Sequence, residues 1–475
     1  MRKNIALVLC LSLIASLALC FVGCSSNDNY QINSALLNDT SYIDYAENVF
    51  LNTEKYEELC DQGLGIVSGY DDQGVPIEVA ADNKNNLINY FDSTLPSLII
   101  VHGVQLGNGI YGTVYFDTEN QGATEEMGNY FFSGDNSENQ KWNLFYFHYE
   151  RFADAEDGIG FNGASSMDAT SVENRIWTRG ADGLGSKFIQ TDGTYSDADA
   201  LEYSVAELFA AEYIRTMNQI CELYPDFESN HNEIRTASHS MGGALTVASV
   251  SLLNILARDG QIGSDLLPNR MALLDSYVGG GKSEVPIAWS GKGYINGSGR
   301  SNYYYSLENI VLGAGIAVEF YYNQDGWVPF MGQLELTKQE QDDALVYYDE
   351  IKELTTMILL YPDYTNVNSV ATDGHNAIRE WYFTSYKYQT PQYFGSDDFV
   401  YEFEIYNEGT AEEEIYTYSY GGLKEGAVAL GFAPSASAST QTIRELRGKC
   451  FEMKKTWDDN SKATVACDDD IIVTK

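Results

Sequence analysis

The feature that most constrains this chain is a turn, Ser238-His239-Ser240-Met241-Gly242, set between a strand-like run and a long apolar helix. Glu233 to Ala237 reads as the strand, and the residues from Gly243 to about Arg258 read as the helix. A serine at such a junction is forced onto a sharp turn, which needs small residues two before and two after it. Ser238 and Gly242 fill those positions, Ser238 standing where the Gly-x-Ser-x-Gly pattern has glycine. The turn lifts the Ser240 hydroxyl above the C-terminal edge of a sheet. The helix that starts there lends positive potential to a developing oxyanion.

The rest of the chain repeats the same alternation. Ser97–Val101 and Trp142–Phe147 are short, unbroken apolar runs of the kind that form buried parallel strands. Met271–Asp275 and Ala317–Tyr322 are two more. Ser204 to Tyr224 carries apolar residues at helical spacing and stops at Pro225. Helices are also expected from about Lys338 to Leu360 and from Asn376 to Tyr386. Strands alternating with helices predict an α/β fold, a mostly parallel sheet with helices on both faces. A Gly-, Ser- and Asp-rich stretch at about 151–199 reads as a lid-like insertion. Glu150, Arg151, Trp177 and Arg179, in or beside it, are candidates for lining the pocket, with a structural role the favoured reading. From about residue 395 the pattern changes. Val400–Tyr406 and Glu414–Tyr420 alternate like a hairpin, Ser435–Ser439 reads as a linker, and residues 395–475 are expected to form a small β appendage.

Charge removes some classes of function. With 28 Lys and Arg against 69 Asp and Glu, the 475-residue chain carries a net charge of −41. A nucleic-acid partner is not expected, because binding phosphates requires a basic surface. Adhesion to anionic lipid by charge alone is disfavoured for the same reason. The N-terminus suggests another route to a membrane. Arg2 and Lys3 precede about fifteen nearly unbroken apolar residues, Ile5 to Leu19, too few to span a bilayer but suited to a signal segment. Val22-Gly23-Cys24 then leads into a polar tail, and this resembles the lipobox of bacterial lipoproteins. The resemblance implies that residues 1–23 are removed, that Cys24 is lipidated, and that residues 24–34 tether the chain to the outer face of a membrane. In an exported chain disulfides can form, and Cys450–Cys467 and Cys60–Cys221 are the favoured pairs. Neither a Cys/His metal spacing nor a phosphate-cradling glycine motif appears, so no metal and no cofactor are expected.

A nucleophilic serine needs an oxyanion hole and a base. Leu98-Ile99-Ile100-Val101-His102-Gly103-Val104 supplies a strand and loop whose Val104 N–H, with that of Met241, is the expected hole. Taken in order, "LIIVHG" and "SHSMGG" resemble the α/β-hydrolase family in its lipase-like branch, over roughly residues 85–390. The resemblance implies the order serine, acid, histidine along the chain. It also implies that His102 and Gly103 shape the oxyanion loop. Of five histidines (102, 148, 231, 239 and 375), only His375 lies downstream of Ser240, and it opens the final helix, where the family places its base. Two acids remain open. Asp275 ends a strand 35 residues after Ser240, and Asp325 follows the next strand, 85 residues after it.

The sequence therefore predicts an α/β-hydrolase domain over residues 35–394. The expected activity is a lipase- or esterase-like cleavage of carboxylic esters, of a small molecule or a lipid, through a covalent acyl-enzyme. Two alternatives keep the same fold: a surface lipoprotein that binds without turnover, and an amidase or peptidase using the same three residues.

Overall fold

The computed structural model describes residues 63–70, 76–104, 141–153, 204–227, 233–258, 262–278, 300–323 and 351–362. It also describes residues 400–406, 413–419, 438–448, 450–455 and 471–472, with scattered positions between, among them 172, 175–177, 188–189, 193–196, 260, 375, 378–379, 382–383, 386 and 436. The signal segment, Cys24, the tether, Cys60, His231, Asp325, Cys467 and most of the 151–199 insertion lie outside the described residues. Each expected disulfide therefore has a member outside them.

Twelve strands form one sheet: β1 (Leu64–Tyr70), β2 (Pro76–Ala80), β3 (Ser97–Val101), β4 (Asn143–Phe147), β5 (Ile234–His239), β6 (Arg270–Leu274), β7 (Ala317–Asn323), β8 (Thr356–Pro362), β9 (Val400–Tyr406), β10 (Glu413–Ser419), β11 (Cys450–Lys455) and β12 (Ile471–Ile472). Their order is β12-β9-β10-β11-β8-β7-β6-β5-β3-β4-β1-β2. The central run from β4 to β11 is parallel throughout, and antiparallel strands close each side. The protein is thus an α/β protein built on a mixed, mostly parallel sheet. The chain order reverses at β3, which lies between β4 and β5. In open α/β sheets a crevice forms at such a reversal, at the carboxyl ends of the strands. His102 follows β3 there and Ser240 follows β5.

Side chains alternate across a strand, so each central strand serves two cores. Ile99 and Val101, Phe145 and Phe147, Met271 and Leu273, and Val318 and Phe320 join the larger core. That core is completed by the helices α1 (Lys84–Tyr90), α2 (Val205–Leu223) and α3 (Met241–Arg258). Ser204 starts α2 with a capping box, its backbone N–H donating to the Glu207 carboxylate at 2.8 Å. Helix α3 is buried on all sides from Met241 to Leu256, which explains an apolar composition that would otherwise suit a membrane span. A further helix, α4 (Arg300–Glu308), runs into a wider π turn at Asn309–Gly313.

The second face is polar at its centre. Arg270 is fully buried and forms two 2.8 Å bonds to the Glu319 carboxylate. Glu319 also accepts from the Tyr321 hydroxyl at 2.8 Å and the Tyr382 hydroxyl at 3.2 Å. Arg270 donates in addition to the Ala438 carbonyl at 2.5 Å, and Arg235 to the Ala436 carbonyl at 2.7 Å. The Arg235 guanidinium lies 4.9 Å over the Trp142 ring. The Ser435–Ser439 segment is therefore not a free linker at its described positions. Ala436 and Ala438 are buried and held by two arginines, and α5 (Thr440–Glu445) follows, with Ile443 packed on Ala317.

Two expectations change here. The helix expected to run to Leu360 stops earlier, because Thr356–Pro362 forms β8, paired in parallel with β7 and β11. Thr355-Thr356-Met357-Ile358 is β-branched and apolar, and Pro362 ends it, which favours a strand over a helix. The C-terminal β region is also no separate appendage. Strand β11 pairs with β8 across six residues and continues the central sheet.

Breaking the buried ion pair should be costly, because it leaves an uncompensated charge. Glu319→Ala is expected to lower the unfolding free energy by about 3–5 kcal/mol in urea titration. A double variant, Arg270→Met with Glu319→Leu, should lose less than Glu319→Ala alone.

Candidate active site

Ser240 sits immediately after β5 with φ of 55°, and Asp275 immediately after β6 with φ of 43°. Among the described residues these are the only non-glycine positions in the left-handed region. Such a backbone costs about 1–3 kcal/mol per residue and persists only where its surroundings over-determine it. At Ser240 they do. Its N–H donates to the Leu274 carbonyl at 3.1 Å, and its carbonyl accepts from Tyr277 N–H at 2.9 Å and Gly243 N–H at 3.0 Å. Asp275 N–H donates to the Tyr321 carbonyl at 2.8 Å. The ends of β5, β6 and β7 are thus tied together through the two strained residues.

The small residues of the turn have separate reasons. A methyl on Gly242 would collide with the carbonyls of His102 and Val101, and one on Gly243 with the Ser276 side chain. Helix α3 could not begin this close to β3 and β6 with any other residue at either position. Ser238 is buried, and its hydroxyl donates to the Ala272 carbonyl at 3.3 Å, so the serine in place of glycine is accommodated. A methyl on Gly103 would come within 2.9 Å of the Ser240 Cβ, which sets the loop after β3 directly against the serine. Val104 lies in that loop, and Met241 is the first residue of α3. Among the described residues neither N–H meets an acceptor.

His375 and Asp275 come together although 100 residues apart. The His375 Nδ1–H donates to Asp275 Oδ2 at 2.5 Å. Asp275 is 3% exposed, whereas the His375 side chain is 29% exposed. Of the two acids that the sequence left open, Asp275 is the one seen beside His375. Among the described residues no hydrogen bond joins the Ser240 hydroxyl to His375.

His239 shows a role that spacing alone does not reveal. Arg235, Ala237 and His239 point to the second face of β5, the face that carries Tyr382 and Tyr386. There the His239 ring packs 4.1 Å from the His375 ring, and its Nε2–H donates to the His375 carbonyl at 3.0 Å. Burial first, and then the neighbouring His375, Arg379 and His102, hold its pKa well below the usual imidazole value. Ser276 was likewise not anticipated; its hydroxyl meets the Tyr303 hydroxyl at 3.0 Å and fills the space beside Gly243. Of the residues flanking the insertion, Glu150 and Trp177 are buried and Arg151 is half-buried, while Arg179 lies outside the described residues. Among the described residues no cluster of His, Cys, Asp and Glu suits a metal ion.

In comparisons with known proteins, no family model matches the chain and no curated protein matches it.

His239 has a consequence for stability. An unfolded chain takes up a proton at this ring near pH 6.5, whereas the native ring takes it up only at lower pH. Below that pH the unfolded state binds more protons, so native stability falls as pH falls. His239→Gln keeps a donor for the His375 carbonyl and removes the titration. It is expected to flatten the decline in melting temperature between about pH 7 and pH 5, read by calorimetry across that range.

Proposed function

We propose that this chain is a serine hydrolase of the α/β-hydrolase type, acting on carboxylic esters. The observation that carries the proposal is the buried Asp275 carboxylate bonded to His375 Nδ1, with the strained Ser240 on the adjoining strand end. In this reading Ser240 Oγ attacks the ester carbonyl carbon while His375 Nε2 takes the hydroxyl proton. The carbonyl oxygen becomes an oxyanion held by the Val104 and Met241 N–H groups. The C–O bond to the alcohol then breaks, His375 returns the proton to the departing alkoxide, and an acyl group remains on Ser240. Water, deprotonated by His375, attacks the acyl carbon and releases the acid. Asp275 keeps the imidazole in the tautomer that leaves Nε2 free to accept, and it stabilises the imidazolium.

The choice of ester over amide, and of a small-molecule or lipid substrate, rests on the lipase-like resemblance of "LIIVHG" and "SHSMGG". Location rests on the residues from Arg2 to Cys24, from which we propose export and lipidation at Cys24. Removing residues 1–23 takes away two basic residues and no acid, giving a net charge near −43. A domain so acidic is repelled by anionic lipid, so acyl chains, at about 0.8 kcal/mol per buried CH₂, supply the attachment.

Ser240→Ala should abolish ester hydrolysis and labelling by a fluorophosphonate while the fold is kept. Asp275→Asn should lower kcat by about 10⁴-fold through the wrong imidazole tautomer, and Asp325→Asn by little. Wild-type protein that hydrolyses no ester and takes no label would instead favour a binding protein on the same fold. If amides outpace esters, the substrate class is wrong and the mechanism stands.

Anchoring has its own test. Cys24→Ser should yield soluble protein or an uncleaved precursor, and mass spectrometry of the wild-type N-terminus should find an acylated Cys24. A mature chain that begins elsewhere and carries no acyl group would sink the anchoring proposal.

A further inference from the structure

Behind the oxyanion loop lies a buried ionic group that the hydrolytic scheme does not use. His148 follows β4, and both its ring nitrogens face carboxylates. Nε2 lies 2.7 Å from Glu78 Oε2, on β2, and Nδ1 lies 2.8 Å from Glu150 Oε1. All three side chains are nine-tenths buried or more. Neither contact is a hydrogen bond unless that nitrogen carries a proton, so the pair of carboxylates selects the imidazolium. Burial works against this charge, but Glu150 and Glu78 outweigh it and hold the His148 pKa well above its usual value. Gly65 on β1 gives the Glu78 carboxylate its space, since a methyl there would collide with it.

Between His148 and Glu150 stands Tyr149, fully buried. Its ring stacks on His102 with centroids 4.2 Å apart. Its hydroxyl lies 2.6 Å from the His102 carbonyl and 3.3 Å from the Gly103 carbonyl. The His102 Nδ1–H also donates to the Gly103 carbonyl, at 2.8 Å. The Gly103 carbonyl and the Val104 N–H belong to one planar peptide unit and point in opposite directions. Bonds that fix the carbonyl therefore fix the direction of the N–H on the far side. With no Cβ, Gly103 could otherwise turn this unit easily.

We infer that Tyr149 is a positioning residue for the oxyanion hole, its hydroxyl holding the loop after β3 so that the Val104 N–H faces Ser240, and that the Glu78–His148–Glu150 group fixes Tyr149 in place. The inference rests on the serine-hydrolase reading and goes beyond it. The serine, the acid and the base do not require these residues, and the hydrolytic scheme assigns none of the four a step. The loop would carry its donor ready-aimed, from a scaffold spanning β2, β4 and the β3 loop.

The test is Tyr149→Phe, which keeps the stacked ring and deletes the hydroxyl. A misdirected donor costs on the order of 10–100-fold in kcat, with KM within about twofold of wild type. The inhibition constant of a phenylboronate, whose tetrahedral adduct on Ser240 needs the same hole, should rise by a matching factor. The number of sites titrated by fluorophosphonate should not change. Glu150→Gln should shift kcat and the boronate constant the same way by a smaller factor, and it carries the test if Tyr149→Phe does not fold. Unchanged kcat and boronate constant per titrated site would overturn the inference. So would a reduced number of sites with an unchanged constant, since Tyr149 would then serve stability alone. Wild-type protein that neither hydrolyses esters nor titrates would instead remove the hydrolase reading, an outcome visible before any Tyr149 variant is made.

Discussion

The close approach of helix α3 to the ends of β3 and β6 is the constraint on which the rest of the site depends. Two consecutive glycines, Gly242 and Gly243, lie against the His102 carbonyl and the Ser276 side chain with no room for a methyl. That contact brings the start of α3 to the reversal point of the sheet and forces Ser240 into a left-handed backbone. It also sets the β3 loop against the serine, with Gly103 facing its Cβ. The strain at Ser240 and Asp275 is offset locally by hydrogen bonds from neighbouring strand ends. Among the described residues, the two non-glycine positions with left-handed backbone angles are the proposed nucleophile and its proposed acid.

The opposite face solves a different problem. A parallel sheet buried on both sides is normally apolar throughout. Here the second face carries Arg270, Glu319, Tyr321 and Arg235, and the 436–445 segment closes it through the carbonyls of Ala436, Ala438 and Ile443 and the buried side chains of Ala436, Ala438, Thr442 and Ile443. Burial of an ion pair is weak evidence for stability but fixes register well. Arg270 begins β6 and Glu319 lies in β7, so a slip of one residue between these strands would turn one charge into the larger, apolar core.

Much of this was legible in the sequence, for reasons that can be named. The runs that became β3, β4, β6 and β7 were readable because buried parallel strands are short and largely apolar, whereas β5, with Arg235, Thr236 and Ser238, was readable from the turn that follows it. Helix α2 was readable because it is capped, periodic and stopped by a proline. The Ser238–Gly242 turn was readable because its geometry admits few residues. Strand β8 was misread because an apolar run of that length is ambiguous between helix and strand until its neighbours are known. Strand β1 was missed because Gly65 and Gly69 interrupt its pattern, and Gly65 is there for the Glu78 carboxylate; β2 was missed because it is five residues long, opens on Pro76 and carries Glu78 at its centre. Asp275 and Asp325 could not be separated by spacing, since each follows a strand downstream of Ser240 and only the fold brings Asp275 to His375 across 100 residues. The His148 group was out of reach for a similar reason. His148-Tyr149-Glu150 reads as ordinary loop, and its partner Glu78 is 70 residues away on a strand that pairs with β1.

The placement of β11 bears on how such a chain is made. Strand β8 has one neighbour, β7, until Cys450–Lys455 is available, because the strands between them in sequence join the sheet only through β11. A chain growing from its N-terminus therefore holds an open parallel edge at β8, and Arg235 and Arg270 lack their acceptors on Ala436 and Ala438, until residues 436–455 exist. Open edges recruit other strands. Translation products that stop short, or molecules clipped ahead of residue 436, would lose the cover and the edge partner together. Quality control that removes incomplete chains would then have the exposed β8 edge to act on, at the side of the sheet away from β2.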